Sequence, residues 1–275
     1  MLGWSLRHDG HDVVAHPVSL TDYARTGEPT AIALLHPWAN RLASPEYEIA
    51  GRRVTLELGA PNVHTDRQGL PIHGLVAGSP HWVVVEESPA RLRGRLDFAA
   101  HDELMAGFPF PHALELTAEL SDARLEITTE LVATGDVPVP VAFGFHPYLR
   151  LPGLPREQWS IALPVTSRMV LDERMLPTGR SEPVRIPPGP LGDATFDDAF
   201  DGLADPPEFV LAGAGRRIAL GFLEGYRFAQ VYAPPGADFI SYEPMTAPIN
   251  PFASPLTRLV EPGGSYRARY AITVS

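Results

Sequence analysis

Short stretches of alternating apolar and polar residues, each cut off by proline or glycine, recur along this chain. Arg53–Leu58 (RVTLEL) places Val54, Leu56 and Leu58 on one side of an extended backbone. Ala113–Leu120 (ALELTAEL) and Arg124–Leu131 (RLEITTEL) repeat that period of two on either side of Ser121-Asp122-Ala123. They read as an antiparallel hairpin with one buried face. Trp82–Val85, Arg91–Phe98, Phe209–Ala212, Arg217–Phe222, Arg227–Tyr232, Phe239–Tyr242 and Tyr266–Val274 are further strand candidates. Helical periodicity is scarce, with Ala99–Met105 the one short candidate. The 30 prolines and 24 glycines are spread along most of the 275 residues, and no linker or fixed-period repeat divides them. The expectation is an all-β protein, a large antiparallel sandwich with little helix, formed by residues 1–275 as one domain.

Missing residue types narrow the chemistry. Cysteine is absent, which removes disulfides, thiolate nucleophiles and Cys-ligated zinc. All 22 basic residues are arginine, so Schiff-base chemistry and a P-loop are excluded as well. A net charge of −11 with dispersed arginines argues against a nucleic-acid partner. No apolar run reaches the roughly 20 residues of a membrane helix. The start, MLGWSLRHDG, lacks the pattern of a signal peptide, so a cytoplasmic protein is expected.

Histidine and carboxylate segments carry the remaining possibilities. Val139–Phe145 reads as a strand leading into His146, with Val141, Phe143 and Phe145 on one face. Ala142, Gly144, His146 and Tyr148 fall on the other, and the small Ala142 and Gly144 suggest open space beside the imidazole. Pro147 restrains His146, just as Pro244 restrains Glu243, which shares a strand face with Phe239 and Ser241. Each could be a pocket residue or an ordinary structural one. His36-Pro37-Trp38-Ala39-Asn40-Arg41 offers a guanidinium fork and a flat indole, which suit a sugar, although a surface ion pair would explain Arg41 equally well. His73 before Gly74 reads as a ligand donor or a turn residue, and Phe196–Phe200 as an acidic turn. His8, His11 and His16 imitate metal spacing, but Asp9-Gly10 reads as a hairpin tip that sets His8 and His11 in solvent. Arg91, Arg93 and Arg95 read as a solvated stripe.

In their order along the chain, PWANRL (Pro37–Leu42), His73-Gly74, GDVPVPVAFGFHPYL (Gly135–Leu149), DDAF (Asp197–Phe200) and YEPMTAPINPF (Tyr242–Phe252) resemble the aldose 1-epimerase family. The resemblance covers most of the chain. It implies the galactose mutarotase-like supersandwich, an open cleft on one sheet, no cofactor and no required metal. It implies His146 as acid and Glu243 as base. Arg41, His73 and Asp197 or Asp198 would hold sugar hydroxyls, with the family spacing favouring Asp197; Asn40, Tyr148 and Trp38 join them as candidate substrate contacts. The expected partner is a small sugar, and the expected assembly a monomer or homodimer. The strands before PWANR are abbreviated, Ala133-Thr134 stands where an asparagine is common, and Leu149 where phenylalanine is common. Ring opening needs one proton removed from the anomeric hydroxyl and one delivered to the ring oxygen. Reference values of about 6.5 for His and 4.3 for Glu put a protonated His beside an ionised Glu. A hexose-6-phosphate epimerase, a non-catalytic carbohydrate-binding protein and a His-rich metalloenzyme are the alternatives.

Overall fold

The computed structural model describes residues 1–275. Two large sheets face each other. One has eight strands in the order Leu2–Gly3, Ile32–Leu35, Gly144–Leu149, Ile240–Met245, Phe228–Ala233, Phe196–Leu203, Val165–Leu171 and Pro177–Pro183. The other has nine, running from Gly189–Pro190 through Ser160–Ala162, Glu208–Gly213, Arg216–Glu224, Ser265–Val274, Arg124–Ala133, His112–Ser121 and Arg91–Asp97 to Val83–Ser88. The hairpin expected around Asp122 is present, with Leu125 opposite Leu120 and Leu131 opposite Leu114.

Period-two alternation sends one face of each sheet into a shared core. Phe145 meets Tyr270 of the opposing sheet at 5.0 Å between ring centroids, and Tyr242 meets Phe209 at 5.3 Å. Burying such aromatic faces contributes roughly 2 kcal/mol or more per side chain. The other face of the eight-stranded sheet therefore carries His146, Glu243 and their neighbours away from that core. Tyr148 pairs with Ser241, and Glu243 pairs with Gln230 on the next strand.

Several local expectations need correction. The strand at Arg52–Thr55 ends early, and Leu58 is exposed although Val54 and Leu56 are buried. The DDAF segment is not a turn: Phe196–Leu203 is a strand in the middle of the site sheet. Its paired acids mimic a turn signal because sequence alone does not show what flanks them. The single helical candidate divides into a short 3₁₀ segment, Phe98–Ala100, and a helix at Asp102–Gly107. A second helix, Leu20–Thr26, was not expected; Ser19 caps its start and Gly27 its end.

Candidate active site

Two bulky groups fill the space expected beside His146. A Cβ on Gly144 would lie 2.8 Å from the Pro244 carbonyl and 3.0 Å from the Ala39 methyl. Gly144 is thus a close-approach position that lets the strand pack against its neighbours, not the wall of a cavity. Tyr148 takes the place beside the ring, stacking on His146 at 4.4 Å between centroids. His73 approaches edge-on at 5.7 Å.

His146 Nε2 lies 3.2 Å from Glu243 Oε1. The ring's other nitrogen, Nδ1, lies 3.0 Å from the Ser241 hydroxyl, which donates to the Pro147 carbonyl at 2.9 Å. Glu243 is buried inside Ile240–Met245, and its Oε2 has no partner in the protein. A buried acceptor left unspent is costly unless something else fills it.

Loops supply the opposite wall. Asn40 and His73 both adopt left-handed backbone, at φ +58° and +62°. The Asn40 carbonyl accepts from the His73 amide, and its side-chain oxygen accepts from Arg41 Nη1 at 3.0 Å. Asn40 thus locks the Arg41 and His73 loops together through its oxygens, while its side-chain NH2 stays free of protein partners. Arg41 Nε donates to Asp66 at 2.7 Å, and Asp66 is itself tied to the Gln68 and Leu70 amides. His73 Nδ1 is buried and unpartnered.

The two aspartates separate cleanly. Asp197 shares the site face and accepts from Gln230 Nε2 at 2.6 Å. Asp198 points to the other face and is bound by Arg168 at 3.0 Å, in a partly exposed ion pair. Trp38 also leaves the site: it is fully buried against Phe252, so it offers no exposed face to a ligand. The structure thus brings Asn40, Arg41, His73, His146, Tyr148, Asp197 and Glu243 together and leaves Trp38 in the core. Gln230 was missed. It lies on the same face as Tyr232 in an expected strand, but only the register with Glu243 reveals that it touches the site.

Burial reverses the expected protonation order. His146 is held down to about 3 by burial, against a weaker contribution from its own backbone carbonyl. Glu243 is pushed well above the usual carboxylate range by burial and then by Asp197, with Arg41 opposing. His73 is also held far down, by burial first and then by His146 and Arg41. Asp197 is raised by burial, with Arg41 and Gln230 opposing. Burial thus disfavours the charged form of both groups, so a proton shared by the pair rests on Glu243 rather than on the imidazole.

Elsewhere, His8 and His11 flank the expected hairpin tip, and the Arg91, Arg93 and Arg95 stripe is paired with Glu86, Glu115 and Glu119. His81, His101 and Glu103 bring donor atoms within 4.8 Å of one another. The two rings stack at 3.7 Å with planes only 20° apart, and Glu103 already bonds His81. Near-parallel rings do not converge their lone pairs on one ion, so this arrangement is a hydrogen-bonded His81–Glu103 contact with a stacked second ring.

The family model for aldose 1-epimerase matches residues 4–273. The chain belongs to that family. It is 24% identical to the uncharacterized protein YihR of Escherichia coli K12, covering 95% of this chain and 83% of that protein. A galactose mutarotase-like protein from Clostridium acetobutylicum superposes with a TM-score of 0.79 at 16% identity, over 94% of this chain and 83% of that one. The galactose 1-epimerase of Lactobacillus acidophilus gives 0.72 at 16% identity, over 99% and 89%. At such identity these structures establish the galactose mutarotase-like fold of this aldose 1-epimerase family member.

Proposed function

We propose that the protein interconverts the α and β anomers of a free aldose such as glucose or galactose. The observation that carries this is the buried His146–Glu243 contact at 3.2 Å, on the outer face of the sheet, with Glu243 Oε2 unspent. Anomer exchange needs one group to take the proton of the C1 hydroxyl and a partner to give one to the ring oxygen, the two oxygens borne by the same anomeric carbon.

The resting proton moves from Glu243 to His146 Nε2 as sugar oxygens enter and solvate the resulting charges. The Glu243 carboxylate then takes the proton of the C1 hydroxyl while His146 gives its Nε2 proton to the ring oxygen. The bond from C1 to the ring oxygen breaks, and the open-chain aldehyde forms. Rotation about C1–C2 presents the other face, and the two transfers run backwards to close the ring. Each group is worth on the order of 10²–10⁴ in rate. Arg41, neutral His73 and the Asp197–Gln230 pair supply donors and acceptors for the sugar hydroxyls. Arg41 spends Nε on Asp66 and faces two carboxylates, which weighs against a phosphorylated sugar.

Polarimetry on freshly dissolved α-D-glucose and α-D-galactose tests this. Acceleration over buffer is expected for at least one sugar, and its loss in Glu243→Gln. No acceleration across a panel of free aldoses would overturn the reading.

A further inference from the structure

We infer that Ser241 is a positioning residue that fixes the tautomer of His146, holding its proton on Nδ1 so that Nε2 alone faces Glu243. The argument is one of counting protons. A hydroxyl has one to give, and Ser241 gives it to the Pro147 carbonyl at 2.9 Å. A carbonyl can only accept. Towards His146, 3.0 Å away, Ser241 therefore has lone pairs to offer, and the imidazole must donate through Nδ1. The ring also lies within reach of its own backbone carbonyl, a second group that can only accept. The opposite tautomer would set the Nδ1 lone pair against that carbonyl and draw the hydroxyl proton away from Pro147. Ser241 is fully buried, so no solvent competes for these bonds.

The consequence deepens the epimerase reading and, for its kinetic part, rests on it. With Nδ1 committed, the single mobile proton lies on the line between Nε2 and Glu243 Oε1. The ring cannot rest with its proton spent on the wrong nitrogen, nor flip to aim Nδ1 at the substrate. The hydroxyl also favours the imidazolium formed during turnover, because it accepts from the nitrogen that stays protonated.

The test uses protein labelled with ¹⁵N-histidine, its His146 ring signals assigned through His146→Gln. In the wild type these signals should show Nδ1 protonated and Nε2 bare at neutral pH. Ser241→Ala should lose that fixed pattern and lower kcat by about 10- to 100-fold with KM little changed. Its alkaline kcat limb should move to lower pH, since the imidazolium has lost an acceptor. Nε2 protonation in the wild type, or an Nδ1 pattern and pH profile unaltered in Ser241→Ala, would overturn the assignment. If the wild type does not mutarotate any sugar yet shows the tautomer change, the epimerase reading falls and the positioning role stands.

Discussion

Two buried pairs built on histidine, His36–His112 and His146–Glu243, do opposite things. His36 and His112 meet through their Nε2 atoms at 2.8 Å, and His112 Nδ1 donates to the Phe110 carbonyl at 2.6 Å. That carbonyl fixes the tautomers: His112 Nε2 must be bare, and His36 donates to it. Phe98 stacks on His112 at 4.4 Å, and Phe108 closes on both rings. His146 uses a similar device, relayed through Ser241, but its free nitrogen faces a carboxylate that keeps an oxygen unspent. Burial is common to both pairs and so does not make a site. What differs is the neighbours: an apolar aromatic shell around one pair, a carboxylate and an array of polar groups beside the other.

The sharpest way to break the comparison is to disable one pair at a time. Glu243→Gln keeps the shape but cannot shuttle a proton, so kcat should fall by about 10²–10⁴. Its thermal midpoint should hold or rise, because a buried group driven from its charged form is replaced by a neutral one. His112→Ala should do the reverse. It opens a cavity among Phe98 and Phe108 and strands the His36 donor, costing about 3 kcal/mol in urea unfolding. Turnover of the folded fraction should be little changed. A collapse of kcat in His112→Ala, with stability intact, would erase the distinction.

The sequence reveals the two pairs unequally, for a physical reason. The alternation of apolar residues marks Val139–Phe145 and Phe239–Tyr242 as strands, because that pattern is local, although the structure divides the first into Val139–Val141 and Gly144–Leu149, which belong to different sheets. The face to which His146 and Glu243 belong follows from the same count of two. Their contact does not, since it depends on how the strands Gly144–Leu149 and Ile240–Met245 are registered, and register is set across about 95 residues of intervening chain. The family resemblance supplied that pairing. The roles of Gln230 and Ser241 stayed hidden for the same reason, and Trp38 was misjudged because an indole looks alike in a cleft or a core. Burial also explains the reversed proton order: reference values describe solvated groups, and neither member of the pair is solvated.

Acid should bear on both pairs, since burial holds His146 down as well as His112 and His36, and substitution isolates the share of one of them. The His112 value falls from 6.5 to about 4 on folding, by burial, and His36 moves the same way. Between those values the unfolded chain binds protons that the folded one refuses, so stability falls as pH drops from about 6.5 towards 4. Above that window both states hold neutral rings and the contribution vanishes. His112→Phe should flatten the slope of unfolding free energy against pH across the window, measured at several pH values in urea. An unchanged slope would mean that this pair does not carry the acid sensitivity.

The smallest effect tests the neighbourhood of the His146–Glu243 pair through two adjacent aspartates. Asp197 lies on the site face, raises Glu243 and is bridged to Gln230. Asp198 is one residue on, yet it is tied to Arg168 in a partly exposed pair. Asp197→Asn should weaken kcat/KM by about 10-fold, the equivalent of one charge-assisted hydrogen bond to a sugar hydroxyl. It should also lower the Glu243 value, since a like charge is gone. Asp198→Asn should leave kcat/KM unchanged and cost within about 0.5 kcal/mol, as partly exposed ion pairs do. Equal effects of the two substitutions would mean that strand alternation does not decide which acid serves the cleft. A larger effect of Asp198→Asn would move the binding role to the neighbouring face of the same strand.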